Sequence, residues 1–128
     1  MTGFNYFLDS SVWLGYFKEG QKDAAEIIES ENNLSTSVIN LYEIVRKLAK
    51  NGTRNAEIEK RLDFIKNISA VVGVSSDIAQ KAAGDSIKHG LHAIDALIYR
   101  SARESNATLV TMDYDFHKLP EVRIVKQS

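Results

Sequence analysis

Short apolar runs alternate along this chain with stretches whose apolar residues recur every three or four positions, a pattern that predicts strands separated by helices. Residues 4–8 are aromatic and apolar, stop at Asp9 and read as a buried strand. Residues 10–17 read as a helix with Trp13, Tyr16 and Phe17 on one face, interrupted beyond its end by Gly20. A second helix over 23–30 places Ala24, Ile27 and Ile28 on its apolar side. Residues 34–36 suit a short strand, and the hydroxyls of Ser35, Thr36 and Ser37 suit the cap of a helix starting near Val38. That helix runs to about Lys50, is expected to bury Val38, Leu41, Val45 and Leu48, and ends at Asn51-Gly52. The spacing of Ile58, Leu62 and Ile65 predicts a helix over 54–66, and the β-branched run over 70–74 predicts a strand. Residues 77–89 form a predicted helix closed by Gly90, and 91–104 another with Ile94, Leu97, Ile98 and Ser101 on one stripe. Strands are predicted over 108–112, ending at Asp113, and over 122–125. Strands joined through helices require crossover connections, so the expected fold is a three-layer α/β/α domain with a mainly parallel sheet of about five strands.

A length of 128 residues, without internal repeat or linker-like stretch, suits one domain over 1–128. Cysteine is absent, which excludes disulfides, thiolate metal sites and a cysteine nucleophile and fits a reducing cytoplasm. No apolar run approaches the roughly 20 residues that span a membrane, and the N-terminal stretch lacks the basic flank of a signal peptide. The net charge of −1 lacks the basic excess common in nucleic-acid binders, so any attraction for RNA must come from a local patch or a bound cation.

Candidate chemistry begins with two aspartates. Asp9 directly follows the first predicted strand and Asp113 the fourth. Open parallel sheets bind ligands at the carboxyl ends of their strands, where the strand order reverses. If these strands are neighbours, the two carboxylates face each other and repel unless a proton or cation lies between them. Oxygen-only donors in a partly wet site suit magnesium or manganese. Either aspartate alone is equally well read as a strand end or helix cap; the pair at equivalent strand ends reads as a site. Asp95 flanks the apolar stripe of its helix and needs a partner, which an ion pair with Arg100 or Arg103 would also supply. Glu43 points away from the expected stripe of its own helix, and a solvated face accounts for it.

These segments resemble the motifs of PIN domains. Asp9-Ser10-Ser11 after an N-terminal strand is similar to their opening motif, and Leu41-Tyr42-Glu43-Ile44 to the region of their conserved glutamate. Ile94-Asp95-Ala96-Leu97-Ile98 is similar to the third motif, and the segment from Leu109 to Phe116 to the fourth. Each motif alone is unspecific; four in this order across the whole chain are not. Length and closing strand also resemble the VapC-like toxins of toxin–antitoxin pairs. The resemblance implies a Rossmann-like sheet, Mg2+ or Mn2+ as cofactor, and metal-dependent endoribonuclease activity. It maps the catalytic and metal-binding acids to Asp9, Glu43, Asp95 and Asp113, with Ser11, Thr111 and Asp115 in support. It gives Glu43 a role that spacing did not. It also implies an RNA substrate, a VapB-like antitoxin as partner and a homodimer. The competing reading is a catalytically idle PIN-like module that binds RNA or protein.

Other signals have plainer readings. His89, His92 and Asp95 could form a zinc face, but Gly90 breaks the helix between the histidines. His117 reads as a surface residue near the cleft. Arg46, Lys47, Lys50, Arg54, Lys60 and Arg61 either steer an RNA backbone or form a solvated face diluted by Glu57 and Glu59. Trp13, Tyr16 and Phe17 read as core or interface; in VapC-like proteins the early helices help form the groove that receives the antitoxin. A phosphoacceptor receiver domain shares the size and the acids at strand ends, but Asp9 lacks an acidic neighbour and Asp77 is poorly placed after the third strand.

Overall fold

Phe7 and Leu8 are fully buried because their strand, β1 (Asn5–Leu8), runs through the middle of a five-stranded sheet. The computed structural model describes residues 3–18 and 21–126, so the expected break at Gly20 lies outside the described residues. After β1 come α1 (Ser10–Phe17), α2 (Lys22–Glu29), β2 (Asn33–Ser37), α3 (Val38–Lys50), α4 (Asn55–Ile68) and β3 (Ala70–Val72). Then follow α5 (Ser76–His89), α6 (Ala93–Glu104), β4 (Thr108–Thr111), a 3-10 turn (Tyr114–Phe116) and β5 (Val122–Ile124). The strand order is β3-β2-β1-β4-β5 and every pair is parallel. The expected α/β fold with its central parallel sheet of five strands is thus observed. The chain builds outward from β1 to β3, then returns to the other side of β1 with β4, so the order reverses between β1 and β4. Ligands of open α/β sheets bind at that switch point.

Side chains alternate across the pleat and serve two cores. Tyr6, Leu8 and Val110 face a layer containing Val12, Trp13, Ile27, Ile44, Ile58 and Ile65 of α1–α4. Phe7 and Leu109 face Ala82, Ala96, Ile98, Tyr99 and Ala102 of α5 and α6. Tyr16 and Phe17 do not stand free: Tyr16 stacks on Phe64 of α4 at 5.6 Å and Phe17 meets it edge-on at 6.2 Å.

The helix starts follow local chemistry. Ser37 accepts from the Ile39 N–H (3.0 Å), while Asn40 accepts from the Ser37 N–H (3.0 Å), a reciprocal box that starts α3. Gly90 closes α5 at φ +69°, a backbone that favours glycine.

Two expected stripes are corrected. α3 buries Asn40, Ile44 and Leu48, whereas Val38 and Val45 are 45% and 36% exposed. The reason is Asn40, a polar residue whose hydrogen bonds turn the helix toward the sheet edge and bring Glu43 with it. α6 begins at Ala93 rather than 91, because the left-handed Gly90 turns the chain and the Leu91 carbonyl accepts from the Ser86 hydroxyl (2.6 Å). Its buried face is Ala96, Ile98, Tyr99, Ser101 and Ala102, and Ile94 is 42% exposed.

Candidate active site

Asp9 stands where β1 gives way to α1, caps that helix, and is only 6% exposed. Both of its oxygens are held. Oδ1 accepts from the Ser10 N–H (2.8 Å) and from the Asn40 amide (3.2 Å). Oδ2 accepts from the Thr111 hydroxyl (2.7 Å) and the Ser11 hydroxyl (3.2 Å). Thr111 ends β4, so the register of β1 beside β4 brings it to Asp9. The Thr111 oxygen also accepts from the Asp113 N–H (3.0 Å), and Ser11 from the Met112 N–H (3.0 Å). Ser11 and Thr111 therefore tie the ends of the two strands together around one carboxylate.

Asn40 was not among the sequence candidates. It is fully buried, and its amide is one of the donors to Asp9. Its carbonyl oxygen lies 3.1 Å from the Thr36 hydroxyl, which also accepts from the Trp13 indole N–H (3.2 Å). Ser10, beside the expected Ser11, also takes part: its hydroxyl donates to Glu43 Oε1 (3.0 Å). Through Ser10 and Asn40, Asp9 and Glu43 share one hydrogen-bonded wall. Asn40 was recognisable only from its place three residues after Ser37, where a capping-box partner sits; Ser10 stood inside the opening motif.

Across from this wall, carboxylate oxygens of Asp95, Asp113 and Asp115 all lie within 4.8 Å of one another. Asp113 follows β4 and caps the 3-10 turn, accepting from the Asp115 N–H (2.9 Å); Asp95 lies in the first turn of α6. Asp115, expected only in support, is thus the third member of the cluster, and Asp9 and Glu43 stand outside that trio. They remain within its field. Burial pushes the Asp9 carboxyl above its ordinary range, against the bonds from Thr111, Ser10 and Ser11, and Asp113 adds to the rise. Burial also raises Glu43, helped by the charges of Asp9 and Asp95. Burial and then the charges of Asp113, Asp9 and Asp115 push Asp95 from the ordinary 3.8 up to about 6. The couplings among these carboxylates are repulsions, opposed at Asp95 only by His92, and repulsion of this kind is the condition that a cation or shared proton relieves. The donors are all hard oxygens, so the residues fit Mg2+ or Mn2+.

The plainer readings fare unequally. Among the described residues Asp95 makes no ion pair; Arg100 instead grips Asp85 with two bonds of 2.7 Å. His89 and His92 are not gathered with Asp95: His89 meets the Tyr99 ring edge-on at 6.3 Å, and His92 precedes α6. Asp77 pairs with Lys81 (3.2 Å) in the first turn of α5, away from the switch point. Arg61 binds Glu57 (3.0 Å) and lies over the Phe17 ring (5.1 Å). Arg46 and Lys47, by contrast, line a pocket with Ser10, Ser11, Leu14 and Glu43, beside the acids.

The PIN domain profile matches residues 6–122, a span that contains every one of these acids. No curated protein sequence matches the chain significantly. Among solved structures, a toxin–antitoxin complex from Klebsiella pneumoniae is similar at a TM-score of 0.77 and 22% identity, covering 92% of this chain and 95% of that one. The sarcin–ricin-loop-cleaving toxin VapC20 of Mycobacterium tuberculosis is similar at 0.73 and 19%, covering 92% and 98%. VapBC2 of Rickettsia felis, bound to a promoter DNA fragment, is similar at 0.71 and 20%, covering 97% and 99%. The strand order, the acids at the switch point and the profile match agree, and the chain belongs to the PIN domain family.

Proposed function

We propose that this PIN domain is a metal-dependent endoribonuclease, the toxin of a VapBC-type pair. The observation that carries the reading is the gathering of Asp95, Asp113 and Asp115 at the switch point, opposite a buried and fully hydrogen-bonded Asp9. Phosphodiester hydrolysis needs an activated water and a counter-charge for the phosphate. A divalent cation held by the acids supplies both. The trio of Asp95, Asp113 and Asp115 offers the nearest set of ligand oxygens, with Asp9 and Glu43 as the remaining acids of the site. Asp9 is held in one orientation by donors from Ser10, Ser11, Asn40 and Thr111, and Glu43 is aimed by Ser10. Thr111 and Ser11 keep the two strand ends at a fixed spacing. No protein nucleophile is required, consistent with a chain that has no cysteine.

The partner assignments rest on the solved neighbours, several of which are toxin–antitoxin complexes. A groove of about 460 Å3 lined by Leu14, Phe17, Lys47, Leu48, Arg61 and Met112 suits a VapB-like antitoxin segment, and it reaches Ser11 at the edge of the site. A homodimer is the expected assembly.

The test is cleavage of a mixed RNA pool by antitoxin-free protein with Mg2+ or Mn2+, with EDTA and Asp9→Asn as controls. Cleavage is expected with metal and lost in both controls. Folded protein that binds RNA but cleaves none with either metal would favour the idle binding module.

A further inference from the structure

An acidic cluster on a chain of net charge −1 repels phosphates until a cation neutralises it, so contacts that carry no charge add to what such a cation and the neighbouring Arg46 and Lys47 supply. The turn that bears the cluster provides one. Tyr114 sits between Asp113 and Asp115 and is 67% exposed. It is not a loose side chain. The His117 ring lies parallel to it, 4.0 Å between centroids and 9° between planes. His117 is itself pinned, its Nδ1–H and its backbone N–H both donating to the Tyr114 carbonyl at 2.7 Å and 3.0 Å. Residues three apart eclipse in a 3-10 turn, which explains the stacking. Phe116, fully buried in the α5–α6 core, anchors the same turn from below. The outcome is a rigid aromatic pair whose Tyr114 Cα lies about 3.8 Å from the Cα of each neighbouring acid.

We propose that Tyr114, backed by His117, is a stacking platform for an unpaired nucleobase of the RNA, one adjoining the phosphate held at the acids. The proposal rests on the nuclease reading for the identity of that phosphate. Every base has a face to stack, so the platform selects single-stranded or looped RNA over a paired helix without reading sequence. An exposed tyrosine fixed by a neighbouring ring loses little freedom when a base covers it, which favours binding.

The experiment is fluorescence anisotropy of a labelled short oligoadenylate on the full chain, in EDTA and again in Mg2+, beside an abasic oligomer of equal length and charge. Tyr114→Ala is expected to weaken oligoadenylate binding roughly 5- to 100-fold, the range base–aromatic stacking supplies. Tyr114→Trp and Tyr114→Phe are expected to keep it, Tyr114→Leu to lose it, and the abasic chain to ignore all four. Binding unchanged in Tyr114→Ala, or no preference for bases over the abasic chain, or no RNA binding in either buffer, would overturn the platform. The two readings fail separately: Tyr114-sensitive binding without cleavage sinks the nuclease and spares the platform. Cleavage indifferent to Tyr114→Ala does the reverse.

Discussion

At the scale of single residues the site depends on how polar groups are satisfied. Asn40 donates to Asp9 and accepts from the Ser37 N–H, so Asn40→Ala leaves a buried N–H without its acceptor and a carboxylate without one donor. The expected cost is about 1–3 kcal/mol of stability, with Mn2+ affinity falling roughly 10- to 100-fold as for other residues that orient metal ligands. Calorimetric titration of Mn2+ checks this, and unchanged affinity would leave Asn40 a purely structural residue. Asp95 makes a prediction of opposite sign. Its carboxyl is raised from 3.8 to about 6, so the native state binds the proton more tightly than the unfolded chain does. The metal-free protein should therefore lose stability as pH rises through that window. Asp95→Asn, which never ionises, should be more stable than the parent above about pH 6 and gain nothing below about pH 4. Thermal melts of both proteins in EDTA at the two pH values decide it; an advantage that persists in acid would contradict the electrostatic account. Asp9 and Asp113 were legible in the sequence because they end apolar strands, whereas Asp95 and Glu43 lie within helices, and Glu43 gained its role only through the motif resemblance. Asn40 was not legible, because a polar residue in a helix is read as solvent-facing until its partners are known.

At the scale of elements the amphipathic pattern located the five strands and six α-helices of the described residues, missed the 3-10 turn at Tyr114–Phe116 and misjudged two helix faces. α3 carries Val38, Leu41 and Val45 on one side and Asn40 and Ile44 on another, with Leu48 buried as expected, and hydrophobicity alone prefers the first. The hydrogen bonds of Asn40 decide for the second. Ile94 misled in a similar way: it lies near the start of α6, beyond the α5–α6 contact that covers Ala96 and Ile98. That contact has its own polar fastening. Arg100 binds Asp85 with two short bonds and Glu104 at 3.5 Å, while Lys81 joins Glu104 (3.3 Å) and Asp77 (3.2 Å). Only the Asp85 link is well buried. Asp85→Ala should cost about 3 kcal/mol, the lower end of what breaking a buried ion pair costs, because Arg100 keeps Glu104. Lys81→Ala should cost under 1 kcal/mol, as exposed pairs do. Urea unfolding of the two variants separates them, and equal losses would show that burial is not what distinguishes the pairs.

At the scale of the whole molecule, charge repulsion among the acids opposes folding, and a bound cation would relieve it. Ligands that bind only the folded state stabilise it by mass action, about 2.7 kcal/mol at a hundredfold excess over Kd. For a chain of this length that is a rise in Tm of roughly 10 °C. Mn2+ should raise the melting temperature, EDTA should reverse it, and Asp113→Asn should blunt it; a melt indifferent to Mn2+ would remove the metal from the site. The fold that carries this linkage was legible as an alternation of periods, and its strand order was not, since nothing in a local pattern says which strands become neighbours. That order has a temporal consequence. Asp9 emerges early in synthesis, but the hydroxyl that completes its shell belongs to Thr111, 102 residues later. Strand β1 waits in the centre of the sheet for β4, a slow, non-local pairing. A ribosome therefore releases most of the chain before the pocket can assemble, and a product terminated before Thr111 lacks the hydroxyl and the strand that complete it.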